Sequence, residues 1–245
     1  MPRKKRSRGT CVYCGRHGTL TRDHVPPRNL FGSTSEVQLV TIPCCTKCNG
    51  QASKDDEYFR RSLILRHDIP DNPITRELLE AVYRSWRNPR QRGFTRSFLR
   101  GVEEKEVYTE GGIYLGQVGT YNVEHHRLDR VVCRIIRGLF YHHSGYPVPR
   151  DYHVFSYCHT GVLPSDRPVA KKYVDFAQVV VQSGEEGAVN PDIFKYWFVR
   201  TAEDPATTGW LLSFFRSLFF LGGTRRPELA GEAYGRANGK NGVGE

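Results

Sequence analysis

The chain has 245 residues, enough for one large domain or two small ones with a real core. Its 38% hydrophobic and 25% charged residues are those of an ordinary soluble protein, and no apolar run is long enough to span a membrane. The net charge of +10 is uneven: residues 1–100 hold 20 Lys and Arg against 9 Asp and Glu, whereas the remainder hold 16 against 17. Such a one-sided positive field is the footprint of a phosphodiester ligand. A basic face that only aids solubility is the alternative.

In chain order, residues 1–9 form a basic arm with Arg3, Lys4, Lys5, Arg6 and Arg8, expected to be disordered. No apolar segment follows it, so no secretory signal is expected. Residues 10–67 form the first module. It opens with Cys11-x-x-Cys14 and contains Cys45-x-x-Cys48. Each pair presents two thiolates from one tight turn, and two such turns complete a tetrahedral, structural Zn2+ site with no position open to water. Seven cysteines, four of them in CxxC pairs, fit a reducing, cytoplasmic setting better than a disulfide framework. Between the pairs lies Thr21-Arg22-Asp23-His24-Val25-Pro26-Pro27, and Asn49 follows the last cysteine. Residues 29–36 are predicted as a hairpin loop and 37–42 as a second strand. A helix is predicted from near Cys45 to His67, with Asn49, Ser53 and Asp56 on one face.

This arrangement resembles the HNH endonuclease family, in particular its zinc-stapled members. The Asp23-His24 pair, the second CxxC pair and Asn49 at the helix start carry the resemblance, which covers roughly residues 11–60, about a quarter of the chain. It implies a ββα-metal hairpin and helix, His24 as general base, and Asp23 and Asn49 as ligands of a catalytic divalent metal. Where the family places an orienting Asn before its second strand, this chain has Gln38, with the same amide chemistry on a longer arm.

The residue types suit that chemistry. Phosphodiester hydrolysis needs a base for the attacking water and positive charge for the phosphorane and leaving oxygens. A neutral imidazole such as His24 accepts a proton near pH 7. Asp23, pointing the other way along a strand, can ligate a metal, with Asn49 adding a neutral oxygen. One acid and one amide leave positions for water and phosphate, which suits Mg2+ or Mn2+. Ser53, Asp55 or Asp56 are candidates for a third ligand, Asp56 being on the face of Asn49. Favourable charge in an early helical turn is the other reading of the two acids.

Residues 68–221 are expected to be an α+β body that supports the module and contacts DNA. Asn72-Pro73 predicts a helix start. From Arg84 to Arg100 run six arginines (Arg84, Arg87, Arg90, Arg92, Arg96, Arg100) and no acid, interleaved with Phe94 and Phe98. Arginine forks onto phosphate oxygens and stacks on bases, so this segment is the nucleic-acid contact expected outside the module. Residues 102–108 and 113–118 predict a hairpin. Leu128, Val131, Val132, Ile135, Ile136, Leu139 and Phe140 define a central core helix. Its arginine stripe (Arg127, Arg130, Arg134, Arg137) is expected to face solvent or DNA. The paired histidines at its ends have no cysteine or acid at ligand spacing. Residues 152–157, 176–182, 194–201 and 210–221 are predicted strands of an antiparallel sheet, and 222–245 a flexible Gly-rich tail.

The expected fold is therefore α+β, a zinc-stapled module followed by helices and an antiparallel sheet. The expected function is metal-dependent DNA cleavage, in bacterial or phage defence or mobile-element biology, with DNA as partner and no membrane association. A zinc-stapled nucleic-acid binder without catalysis, and an RNA-cleaving or toxin-type nuclease, are the alternatives.

Overall fold

A computed structural model describes residues 7–32, 37–66, 69–109, 111–158 and 168–227. The chain is mixed α+β with five α-helices and three antiparallel sheets among these residues. No helix is long and apolar enough to cross a membrane.

The first sheet has the order β1 (Arg8–Thr10), β2 (His17–Val25), β3 (Val40–Cys45), and helix α1 (Thr46–Ile64) follows directly. Two of the predicted boundaries move. Arg8 and Gly9 belong to β1, paired with Thr19 and Gly18, rather than to a disordered arm. The second strand begins three residues later than predicted and continues through Pro43 and Cys44 to Cys45. Proline is tolerated there because β3 is an edge strand and Pro43 turns its carbonyl outward to the Val12 amide, so the ladder to β2 loses no N–H. The helix accordingly starts at Thr46, with Cys45 as its cap: the Cys48 amide donates to the Cys45 Sγ at 3.5 Å. It ends at Ile64, and His67 lies outside the described residues.

Helix α2 (Pro73–Trp86) starts as predicted. Asn72 Oδ1 accepts from the amides of Ile74 and Thr75, and Thr75 Oγ1 accepts from the Asn72 amide. A short 3-10 turn leads to helix α3 (Arg92–Arg100), then to the hairpin of β4 (Val102–Tyr108) and β5 (Tyr114–Tyr121). Helix α4 (His125–Ser144) is the predicted central helix, and its apolar stripe is fully buried.

The body sheet has the order β6 (His153–Cys158), β10 (Leu218–Arg225), β9 (Thr208–Phe214), β8 (Phe194–Arg200), β7 (Glu185–Asn190). Here three expectations change. Residues 176–182 lie in helix α5 (Pro168–Ser183), not in a strand. Their β-branched content suggested a strand, but Phe176 and Val180 stand one helical turn apart and turn inward, while Val179 and Val181 are exposed. Residues 210–221 are two strands, not one, because the chain reverses at Phe215 and Arg216, both with positive φ. Gly222 and Gly223 lie inside β10 rather than opening a tail: a Cβ on Gly222 would strike the Phe155 carbonyl at 2.6 Å and one on Gly223 the Thr208 carbonyl at 2.3 Å. Residues 228–245 are outside the described set.

Helices α4 and α5 cover opposite faces of this sheet. A Cβ on Gly222 would meet Ile136 of α4, and one on Gly209 would meet Phe176 and Val180 of α5. Strand β9, central and covered on both sides, is buried along its whole length. The far side of α4 carries the first module. Val25 of β2 and Ile42 of β3 pack on Gly138, where a Cβ would come within 2.5 Å of Val25 Cγ2. Phe59 of α1 reaches Phe214 and Phe220 of the sheet, with ring centroids 5.3 and 5.6 Å away. One continuous core thus runs from Val12 to Phe220.

Candidate metal and phosphodiester site

The four paired cysteines converge. The Sγ atoms of Cys11, Cys14, Cys45 and Cys48 all lie within 4.8 Å of one another, the one group of three or more Cys, His, Asp or Glu among the described residues placed to hold a metal. Four thiolates tetrahedral about zinc at about 2.3 Å stand about 3.8 Å apart. Cys14 and Cys45 Sγ are 3.8 Å apart. The first pair sits on a turn closed by Gly15 N–H to Cys11 O at 2.8 Å and tied to β3 by Val12 N–H to Pro43 O at 3.1 Å. Hydrogen bonding from the Cys48 amide holds the Cys45 thiol down to about 7, which favours the ligating thiolate. Cys44, in β3 opposite Thr21, is not in the group. Burial pushes its thiol up to about 11, so it stays protonated.

The Asp-His pair closes β2. Asp23 lies opposite Ile42 and His24 opposite Thr41, and alternation along the strand turns the two side chains to opposite faces. Asp23 is buried, 6% exposed. Its Oδ2 accepts from Tyr13 Oη at 2.8 Å and lies 3.5 Å from Arg134 Nε, while Oδ1 makes no hydrogen bond among the described residues. Burial next to Asp23 raises the Tyr13 phenol well above its ordinary value, so it remains a donor. His24 has Nδ1 buried without a partner among the described residues. Gln38 is exposed and does not bond to that nitrogen.

Asn49 stands in the first turn of α1. Its Nδ2 donates to Thr21 Oγ1 at 3.2 Å and to Arg22 O at 3.4 Å, locking the helix start to β2. Thr21 is two residues from Asp23 and shares its strand face. The amide oxygen of Asn49 is left free of hydrogen bonds among the described residues. Asn49 and Asp23, on one side of the hairpin, therefore each keep an oxygen available to a hard cation.

The other acids of α1 are occupied. Asp56 Oδ1 accepts from Arg134 Nη2 at 2.5 Å, and its backbone carbonyl accepts from Asn29 Nδ2 at 3.0 Å. Burial pushes the Asp56 carboxyl up to about 6 against the pull of Arg134. The arginine, bracketed by Asp56 and Asp23, stays charged although burial opposes it. Asp55 takes Arg127 and Arg130 at 2.8 and 2.7 Å. Burial disfavours its charge, but those hydrogen bonds outweigh it and hold the carboxyl below the ordinary range. Ser53 donates to Gly50 O within the helix. Three arginines of the α4 stripe, Arg127, Arg130 and Arg134, thus pair with acids of α1, although Arg130 stays more than half exposed. Between the helices lies a cavity of about 400 Å³, with Tyr13, Cys48, Arg130, Arg134 and Arg137 in its wall.

The six arginines from Arg84 to Arg100 are all exposed, and none forms an ion pair among the described residues. Sequence reasoning missed Tyr13, Thr21 and Arg134. Tyr13 and Thr21 had local signals, one inside the first CxxC and the other two residues before Asp23. Arg134 had none, because its partners lie in elements about 80 and 110 residues away.

No family model, no curated protein and no solved structure matches this chain.

Proposed function

We propose that the chain is a zinc-stapled, metal-dependent endonuclease of the HNH type that hydrolyses DNA phosphodiester bonds. The observation that carries the reading is the double hydrogen bond from Asn49 to Thr21 and Arg22, which seats the start of α1 beside the strand bearing Asp23 and His24. Cys11, Cys14, Cys45 and Cys48 would hold Zn2+ in a closed four-thiolate shell with a structural role. Asp23 Oδ1 and Asn49 Oδ1 would hold Mg2+ or Mn2+, which supplies positive charge to the phosphate and the leaving oxygen. His24, with Nδ1 buried, presents Nε2 to take the proton of the attacking water. The exposed arginines from Arg84 to Arg100 would contact backbone phosphates of the bound DNA.

The test is cleavage of supercoiled plasmid with Mg2+ or Mn2+, with linear single-stranded DNA and RNA as parallel substrates. His24→Ala is expected to lower the rate on the order of 10²- to 10⁴-fold with zinc content and fold unchanged. Undiminished nicking by that variant sinks the reading. One observation favours a second reading, nucleic-acid binding without catalysis: no residue among those described orients His24 through Nδ1. Tight DNA binding without cleavage in either metal would select it.

A further inference from the structure

Tyr13 is an unexpected occupant of a zinc turn. It stands between Cys11 and Cys14, and its side chain runs inward to Asp23, ten residues on. A buried phenol needs an acceptor, and here that acceptor is the acid of the Asp-His pair. Arg134, from α4, approaches the same oxygen from another side, with its Nη2 anchored on Asp56. Two donors from outside the hairpin therefore converge on Oδ2 of Asp23, and Oδ1 is the oxygen left over.

We infer that Tyr13 is a positioning residue that couples the cysteine clamp to the divalent-metal site. This rests on the proposed role of Asp23 as a ligand. A carboxylate can rotate and exchange its two oxygens; an O–H fixed on one of them sets the plane and directs the other outward. The clamp sets the position of the turn, the turn sets the phenol, and the phenol sets Asp23. The zinc site thus does more than hold the module folded: through one hydrogen bond it orients a residue of the cleavage site. Hydrogen-bond partners behind a metal ligand typically change affinity or activity 10- to 100-fold when removed.

The experiment uses the full chain saturated with zinc. Mn2+ binding is followed by electron paramagnetic resonance, alongside zinc content, kcat and KM for plasmid DNA. In Tyr13→Phe we expect Mn2+ affinity and kcat to fall about 10-fold or more, with KM and one zinc per chain retained. In an Asp23→Asn background the same change is expected to have no further effect, because its route is gone. Arg134→Lys, which keeps the charge and loses the planar fork, is expected to show a smaller loss in the same direction. Unchanged Mn2+ affinity and kcat in zinc-loaded Tyr13→Phe overturns the inference and leaves the proposed function standing. Loss of zinc from Tyr13→Phe also overturns it, since the residue is then part of the clamp itself. Wild-type protein that binds Mn2+ through Asp23 but cuts nothing overturns the proposed function alone; no Mn2+ binding overturns both.

Discussion

At the scale of single residues, the acids of α1 divide by what neutralises them. Asp55 has two arginines, of which only Arg127 has a second acid among the described residues, Glu124, and the Asp55 charge is favoured. Asp56 shares Arg134 with Asp23, so burial prevails and its carboxyl rises to about 6. That shift has a definite sign. A carboxyl raised above its unfolded value of about 3.9 binds its proton more tightly in the folded state, so its contribution is greatest below pH 4 and declines as pH rises through 6. Asp56→Asn removes the decline. Urea unfolding at pH 5 and pH 7.5 is expected to show the variant gaining on wild type at the higher pH, on the order of 1–2 kcal/mol. A constant difference between the two would mean that Asp56 titrates normally. The same crowding explains why Asp56, which shares a helix face with Asn49 by sequence spacing, is not a free ligand here: Arg134 already occupies it.

At the scale of elements, the hairpin of β2 and β3 and the helix α1 were legible because each signal was local. The CxxC pairs mark two turns, and Cys45 doubles as ligand candidate and helix cap. Boundaries slipped where one chemical group had two uses, as with Pro43, which sits inside an edge strand. Helix α5 was misread because β-branched content competed with a weak helical period, and the covering sheet decided the outcome. The arginine run around α3 makes the clearest element-level prediction. Arg92, Arg96 and Arg100 lie on one helix, exposed and unpaired among the described residues. Replacing all three with Gln is expected to leave the melting temperature nearly unchanged. The slope of log K against log salt for duplex DNA is expected to fall by about one unit per arginine, near three in all. An unaltered slope would remove this helix from the interface.

At the scale of the whole molecule, the module is not an independent bead on the body. Phe59 lies fully buried between α1 and the sheet, against Phe214 and Phe220, and Gly138 lets β2 approach α4. A core shared in this way predicts one cooperative unfolding transition. Phe59→Ala is expected to cost about 3–5 kcal/mol and to lower the single transition seen by both far-ultraviolet circular dichroism and tyrosine fluorescence. Two separated transitions would instead show that the module and the sheet melt apart.

The sequence by itself determined the cysteine clamp, the hairpin and helix around it, and the central helix α4, because spacing of a few residues specifies turns, strands and helical faces. It also determined where the positive charge lies. Only the tertiary structure decided what that charge does. The stripe on α4 reads as a solvent face until α1 is laid against it, and then Arg134 bridges Asp23 and Asp56. Tyr13 reads as filler inside a CxxC until the strand folds back and brings Asp23 under its hydroxyl. Both depend on contacts between elements distant in sequence or on side-chain direction, which no periodicity encodes. The identity of each ion-pair partner was settled when one core drew α1, α4 and the hairpin together.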